Sequence, residues 1–573
     1  MPSAGTGQVY TGIPRREICC NFFFHFHFHL NLLLVFTFLV NVNKKCMMHR
    51  FFPGNHLLLG AFMILLFLRK NTIKIKESTM TKKITSLLLA LLMVLPLAAC
   101  AEDKTSADTT AADTTAAVAD TEAITEPVET VDPNTVDDLP ADLNFGDTTF
   151  TVYTRKHESI HAELNIAESN GEQLNDAIYQ RGRDIEDRLG IVLDEFVTPT
   201  SDTTAVKTAI QAGDDTYKLA SVRCVYAVEY ASNDLGYDWA DVDHIDLSKD
   251  YWYDTINENL TIAGKTFAAA GAYNLSSFDF THILMFNKQL INDLTLESPY
   301  DIVKNGQWTW DKLNEMGTAA VSDANGDGKM ELGADRFGLF MVSKQVMPSF
   351  WISANQQSIH KDENDIPQFT MATDDALLDV MIKTYELMWD NNFWYQFLID
   401  KQSSPDLNAA FVENQALFMN STFFYVKDYR EMEADFGIIP FPKYTAEQDT
   451  YYSRIEGCDL PLIPICLSQE QANMSGAFLE AMASYSLKNT VPVYYDVYLQ
   501  SRIARDSESG EMLDIIFENR IFDLGDTVWC PNIRDSFVYS MFNANNRNLT
   551  SMMKKSSNAV QKVIDKIVTG FTD

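Results

Sequence analysis

The chain has 573 residues, with 45 Lys and Arg against 79 Asp and Glu, for a formal net charge of −34. Such an acidic surface repels phosphate and argues against nucleic acid as a partner, whereas a neutral solute is not penalised. Beyond residue 100 the cysteines are Cys224, Cys458, Cys466 and Cys530, with no CxxC pair, which speaks against a disulfide framework or a zinc cluster and for buried small apolar side chains.

In chain order, the first organised stretch is Met80–Cys100. It has Lys82 and Lys83, an apolar run from Ile84 to Leu95, then Leu97-Ala98-Ala99-Cys100. That is the charged, apolar and small-residue order of a secretory signal. Two readings of residues 1–79 are open. They are membrane-inserted, with Asn21–Val40 long enough to span but burdened by His and Asn, or they are not translated and the start is over-called, which is the favoured reading. Before Cys100 lie 11 basic and 2 acidic side chains, so the remainder carries 34 basic against 77 acidic. Residues 101–140 are rich in Ala, Thr, Asp and Glu, lack aromatics and hold one lysine, Lys104. They bury too little to fold and read as a self-repelling tether.

From about Asn144 the pattern becomes globular. A strand at Thr149–Thr154, a helix at about Leu174–Leu189 and a strand at Ile191–Val197 open an α/β domain. On the helix Ala177, Ile178, Ile185 and Leu189 share a face, with Arg181, Arg183 and Glu186 as polar residues. Apolar runs at Lys265–Ala270, His282–Asn287, Gly437–Phe441 and Leu460–Cys466 read as further strands. Helical patterns fall at Trp310–Ala320, Ala376–Asp390, Gln469–Ser486 and Ser557–Val568. The globular part, roughly 430 residues, is too long for one core.

The segments Gly171–Ile191, Asp246–Phe267, His282–Leu313 and Phe436–Ser453 together resemble the extracellular solute-binding proteins of bacterial ABC importers, of the carbohydrate-associated, maltose-binding-protein-like group. The most specific pieces are FNK at 286–288, PYDIV at 299–303, WTWDK at 308–312 and PFPK at 440–443. Leu97–Cys100 likewise resembles the lipobox of bacterial lipoproteins, with Cys100 as the lipid-attachment residue. The resemblance implies an α/β, two-lobe periplasmic-binding-protein-like fold of type II with an interlobe ligand cleft. The expected organisation is a signal peptide over 80–99 and a lipidated, disordered acidic tether over 100–143. The N-lobe then runs over 144–280, the C-lobe over 281–455, an N-lobe return over 456–490 and C-lobe helices over 491–573. It also implies an extracellular face of the cell membrane, a lipid bilayer contact through acylated Cys100, an ABC permease as partner, a monomer, and no enzymatic activity.

The residues themselves assign most of these pieces to scaffold. Thr309 caps the helix beginning at Trp310, Asp311 favours its positive end, and Pro440 and Pro442 terminate a strand. His157-Glu158-Ser159-Ile160-His161 is a literal HExxH, but it follows a strand, leaves little room for a helix and has no third ligand at metalloprotease spacing, so it reads as a polar loop. Asp323, Asn325, Asp327, Lys329 and Glu331 match the first half of a calcium loop, yet position twelve is Ala334 and the nearest acid is Asp335. A structural Ca²⁺ and a metal-free Asx-rich turn both stay open, and no other cofactor is required. Nucleophile-elbow, P-loop and dinucleotide fingerprints are absent.

Sugar rings call for aromatic platforms and planar polar groups at strand ends. Arg155, Trp351, Asn420, Asp459 and Trp529 are the candidate ligand residues on that filter. The leading reading is a lipid-anchored receptor for a solute, an oligosaccharide. A surface hydrolase for polysaccharide or peptide and an adhesive lipoprotein are the alternatives.

Overall fold

The first βαβ unit forms for local reasons. β1 (Thr148–Thr154) leads through a loop to the helix Gln173–Leu189, and β2 (Ile191–Val197) follows directly. The Glu172 carboxylate accepts from the Asn175 N–H at 3.0 Å to cap the helix, and Gly190 ends it in the left-handed region at φ 59°. Of the face the periodicity predicts, Ile178, Ile185 and Leu189 are buried and Ala177 is half-buried, and Leu174 is buried with them. Arg181 is not the surface residue its chemistry suggested: it is 1% exposed, and its Nη1 donates to the Tyr273 carbonyl at 2.8 Å and to Ser486 Oγ at 3.2 Å.

The computed structural model describes residues 132–573 apart from 157–160, 396–403, 430–431, 497–498, 500–505 and 573. The proposed signal peptide, Cys100, and His157 and Glu158 of the HExxH lie outside the described residues. The remaining strands are β3 (Tyr217–Arg223), β4 (His282–Asn287), β5 (Phe337–Phe340), β6 (Ile359–Lys361), β7 (Pro367–Phe369), β8 (Ala416–Thr422), β9 (Phe436–Ile439), β10 (Ser453–Arg454), β11 (Asp459–Leu462) and β12 (Arg520–Ile521).

Eight strands build two four-stranded sheets, and β6-β7 and β10-β12 pair as two-stranded ones. Of the four-stranded sheets, one has the order β11-β3-β1-β2, the other β5-β8-β4-β9. In the first, β1 is parallel to β2 and β3, while β11 returns antiparallel to β3. In the second, β4 is antiparallel to β8 and β9, and β5 is parallel to β8. Each sheet packs under helices: Gln469–Asn489 lies against Gln173–Leu189 on the first sheet, and Trp310–Ala320 covers β5 on the second. The chain leaves the first sheet at Phe280–Thr281 and returns at Ile455–Glu456, and these two passages pair. Thr281 and Ile455 form an antiparallel bridge, and the Glu456 N–H donates to the Phe280 carbonyl at 3.1 Å.

Two expectations are corrected. Lys265–Ala270 forms no strand: the Asn257 side chain takes the backbone of Ala270, accepting its N–H at 2.7 Å and donating to its carbonyl at 2.9 Å, so a sheet partner is not needed. The tether does not extend through residue 143 either. From Asp132 the chain is docked, with a one-turn helix at Pro133–Thr135, Asp137 accepting from Arg188 at 2.8 Å, Asp138 paired with Lys249 at 2.7 Å, and Leu139 and Leu143 against the first lobe's core. Its acids meet bases contributed by distant segments, which composition alone cannot reveal.

Candidate functional site

Strand direction gathers the polar residues of the first lobe. Because β1 and β3 run parallel, their C-terminal ends share one edge, and antiparallel β11 begins there. Arg155, Arg223 and Asp459 are therefore neighbours, and Asp459 lies directly opposite Arg223 in the register. Arg155 donates through Nε at 2.8 Å and Nη2 at 2.6 Å to a single oxygen, Oδ1 of Asp459. The aspartate's backbone is pinned as well: its carbonyl accepts from Tyr273 Oη at 2.8 Å and Asn274 Nδ2 at 3.1 Å, and its N–H donates to Ser276 Oγ at 2.9 Å. Asp459 Oδ2 is buried without a hydrogen-bond partner, and so is Arg223 Nε. Two of the sequence candidates, 304 positions apart, thus form one buried ion pair.

The second lobe and the return passage present a denser network. Arg454 donates through Nε at 2.6 Å and Nη2 at 2.8 Å to the two oxygens of Asp526, which also accepts from Arg534 Nη1 at 3.1 Å. Arg534 reaches Asp535 at 2.7 Å and Glu456 at 3.3 Å. Glu456 further accepts from Gln345 Nε2 at 3.1 Å and lies 3.2 Å from His282 Nε2. Asn420, the third sequence candidate, donates from Nδ2 to His282 Nδ1 at 3.1 Å. Arg454 Nη1 lies 3.0 Å from the same Nε2, so a neutral imidazole either donates from Nε2 to Glu456 or accepts there from Arg454, and cannot do both at once. Burial, with the Arg454 charge beside it, pulls His282 down to about 4, so the ring is neutral at physiological pH. Burial alone would raise the Glu456 carboxyl, but the bond from His282 and the charges of Arg534 and Arg454 hold it well below the usual carboxylate range. Such a network is worth its desolvation only when each charge is paired, and here each is.

The two indoles occupy another setting. Trp351 is 0% and Trp529 1% exposed, both in the apolar core of the second lobe, and neither Nε1 has a hydrogen-bond partner. Neither presents an open ring face, so the platform geometry expected of them is not what this structure holds. Trp308 and Trp310 are scaffold as expected, donating to the Pro440 carbonyl at 3.0 Å and to Ser353 Oγ at 3.2 Å, while Thr309 caps the helix through the Lys312 N–H.

Three further groups are resolved by their contacts. His161, the described end of the HExxH, lies on non-helical chain, with Nδ1 3.0 Å from Asp279 Oδ2. In the calcium-like loop the oxygens face their own backbone: Asp323 accepts from Gly326 and Gly328, Asn325 from Asp327, Asp327 from Lys329, and buried Asp335 from Ala324 and Glu331. Among the described residues no group of three or more His, Cys, Asp or Glu is placed to hold a metal ion, and the oxygens of this loop accept from its own backbone as in an Asx-rich turn. Cys224, Cys458 and Cys530 are buried free thiols and Cys466 is half-buried.

Sequence reasoning passed over Arg223, His282, Arg454, Glu456, Asp526 and Arg534. A signal for two of them existed: Arg454-Ile455-Glu456 alternates charged and apolar residues just before Gly457, putting opposite charges on one face of an extended passage.

No protein-family model matches the chain, and no curated protein sequence matches it. Solved structures do. The sugar-binding protein MalE from the phytopathogen Xanthomonas citri superposes with a TM-score of 0.51 at 13% identity, over 73% of this chain and 98% of that one. The cyclic alpha-maltosyl-1,6-maltose binding protein from Arthrobacter globiformis gives 0.50 at 13% identity, over 73% of this chain and 99% of that one. At this identity the likeness concerns architecture: the described part of the chain has the two-lobe α/β fold of the periplasmic-type solute-binding proteins.

Proposed function

We propose that this chain is the solute-binding component of an ABC importer, held at the outer face of a cell membrane through acylated Cys100, and that it captures an oligosaccharide between its lobes for delivery to a permease. The observation that carries the reading is the convergence of two separate sheets on one pair of hydrogen-bonded passages, at Thr281 and Ile455, with the polar ends of β1, β3 and β11 at the edge. Backbone pairing at the passages lets the lobes rotate about a short two-stranded hinge, and a ligand that contacts both lobes only when they are shut shifts the equilibrium towards closure. Arg155, Asp459 and Asn420 supply polar contacts. The two structural neighbours are named for sugar ligands, which supports carbohydrate as the class. No covalent bond changes in this cycle.

Calorimetry across a panel of neutral oligosaccharides, with product analysis of each mixture, tests the reading. Saturable binding at one site per chain with unchanged glycan is expected. Release of shorter glycans would establish a hydrolase instead, and binding of peptides but of no glycan would remove the carbohydrate assignment.

A further inference from the structure

Two of the buried thiols are direct neighbours across the first sheet. β3 ends at Arg223, β11 begins at Asp459, and these two residues are opposed in the antiparallel register. The register carries one step further. The Cys224 N–H donates to the Cys458 carbonyl at 2.9 Å, so Cys224 and Cys458 are the next opposed pair, at a hydrogen-bonded position of the ladder. Cα atoms at such a position are about 5.5 Å apart, which falls at the commonest separation of disulfide-bonded residues. Side chains of directly opposed residues also share a face of the sheet. A disulfide draws their Cβ atoms from about 4.5–5.5 Å to about 3.5–4.5 Å. The ladder ends at this pair, which gives room for that approach: Cys224 is already the first residue of the helix Cys224–Ala231, and Gly457 precedes Cys458. The Cys224 sulfur lies beside this passage, because a Cβ on Gly457 would sit 3.6 Å from it.

We propose that Cys224 and Cys458 are joined in a cross-strand disulfide that staples the return strand β11 to β3. Cys530 is the competing partner, a third buried thiol within electrostatic reach of Cys224, but the Cys224 N–H is given to Cys458, and the backbone register selects that residue. Both thiols of the pair are shut away, at 0% and 1% exposed, and burial pushes the Cys224 thiol up and the Cys458 thiol well up. The thiolate is the reacting form, so the exchange belongs to folding, before the strands close over it. It takes two steps with a small-molecule or protein disulfide as oxidant. One cysteine thiolate attacks a sulfur of the oxidant, forming a mixed disulfide and releasing one thiolate. The second cysteine thiolate then attacks the first cysteine's sulfur, forming the Sγ–Sγ bond and releasing the other. The two cysteines give up two electrons, and the oxidant becomes two thiols that take up the two protons. The bond closes a loop of about 230 residues that holds the whole four-stranded sheet of the second lobe, a length at which cross-linking constrains the unfolded chain strongly. The pairing goes beyond the solute-binding reading and does not rest on it.

The test unfolds and reduces the full chain, refolds it with reduced and oxidised glutathione, alkylates the remaining thiols and digests it without reduction for mass spectrometry. The expected map contains a linked pair of peptides carrying Cys224 and Cys458. The linked protein should melt about 5–10 °C above the same chain refolded with reductant alone. The link should be absent from Cys224→Ala and Cys458→Ala and kept in Cys530→Ala. A link from Cys224 to Cys530, or a refolded chain with the native melting transition in which Cys224 and Cys458 are both alkylated, would overturn the proposal. The map of the wild-type chain decides between these results without any variant. The oxidant is supplied in the tube, so the result is independent of where the chain resides and of what it binds.

Discussion

The two sides of the lobe junction handle buried charge differently. On the side of the second lobe, Arg454, Asp526, Arg534, Glu456, Asp535, His282 and Gln345 form a network in which each charge meets an opposite charge or a hydrogen-bond partner, the one atom left over being the neutral Gln345 Oε1. On the side of the first lobe, the Arg155–Asp459 pair is clamped through one oxygen only, and Asp459 Oδ2 and Arg223 Nε stay unsatisfied. A network whose charges are paired resists change and fixes the passages, whereas the other side keeps polar groups that a further partner can still satisfy.

The largest effect should come from opening the paired side. Arg454→Met removes the cation between Asp526 and His282 and leaves Asp526 with only Arg534, so denaturant unfolding should show a loss of about 3–5 kcal/mol. A loss below about 1 kcal/mol would mean that the network is not what holds the passages. Next comes pH. Asp523 is buried, accepts from the Ser358 N–H and Oγ, both at 2.6 Å, and burial, with the charge of neighbouring Asp526, raises its carboxyl to about 6 from an ordinary 3.8. The native state therefore prefers the protonated acid: its contribution is complete below pH 4 and is lost as pH rises through about 6. That difference corresponds to on the order of 3 kcal/mol, and Asp523→Asn should flatten the fall in stability between pH 4 and 7. An identical pH profile in the variant would contradict the assignment.

A smaller effect is expected at the surface turn. Asp335→Asn weakens the acceptor for the Ala324 and Glu331 N–H groups and should cost about 1–2 kcal/mol, equally with chelator or with calcium. A cost that appears only with calcium would decide for a metal in this loop. The smallest effect is the most informative for the comparison: Arg223→Ala breaks no hydrogen bond in the free protein, so stability should change by no more than about 0.5 kcal/mol. A melting shift as large as that of Arg454→Met would place Arg223 in the frame.

Much of the fold was legible because it is locally encoded. The Glu172 and Thr309 caps, the left-handed Gly190 and the periodic apolar faces mark the helices Gln173–Leu189 and Trp310–Ala320, and β2 and β4 are found at their expected bounds. What escaped depends on partners far along the chain. Nothing near Lys265–Ala270 reveals that Asn257 will take its backbone, and nothing near Asp137 reveals Arg188. The site was half legible for the same reason. Strand-end position singled out Arg155 and Asp459, and Asn420, but their geometry follows from the β11–β3 register and from a contact across 304 residues. Large aromatic size drew attention to Trp351 and Trp529, and the same size places them in the core.

The measurement that bears most directly on the account is titration calorimetry of the full chain with neutral oligosaccharides, paired with small-angle scattering of the same samples. The account predicts saturation at one glycan per chain, a smaller radius of gyration in the complex as the lobes close, and recovery of the glycan intact. Binding without compaction, or recovery of cleaved glycan, would contradict a receptor that works by closing its lobes.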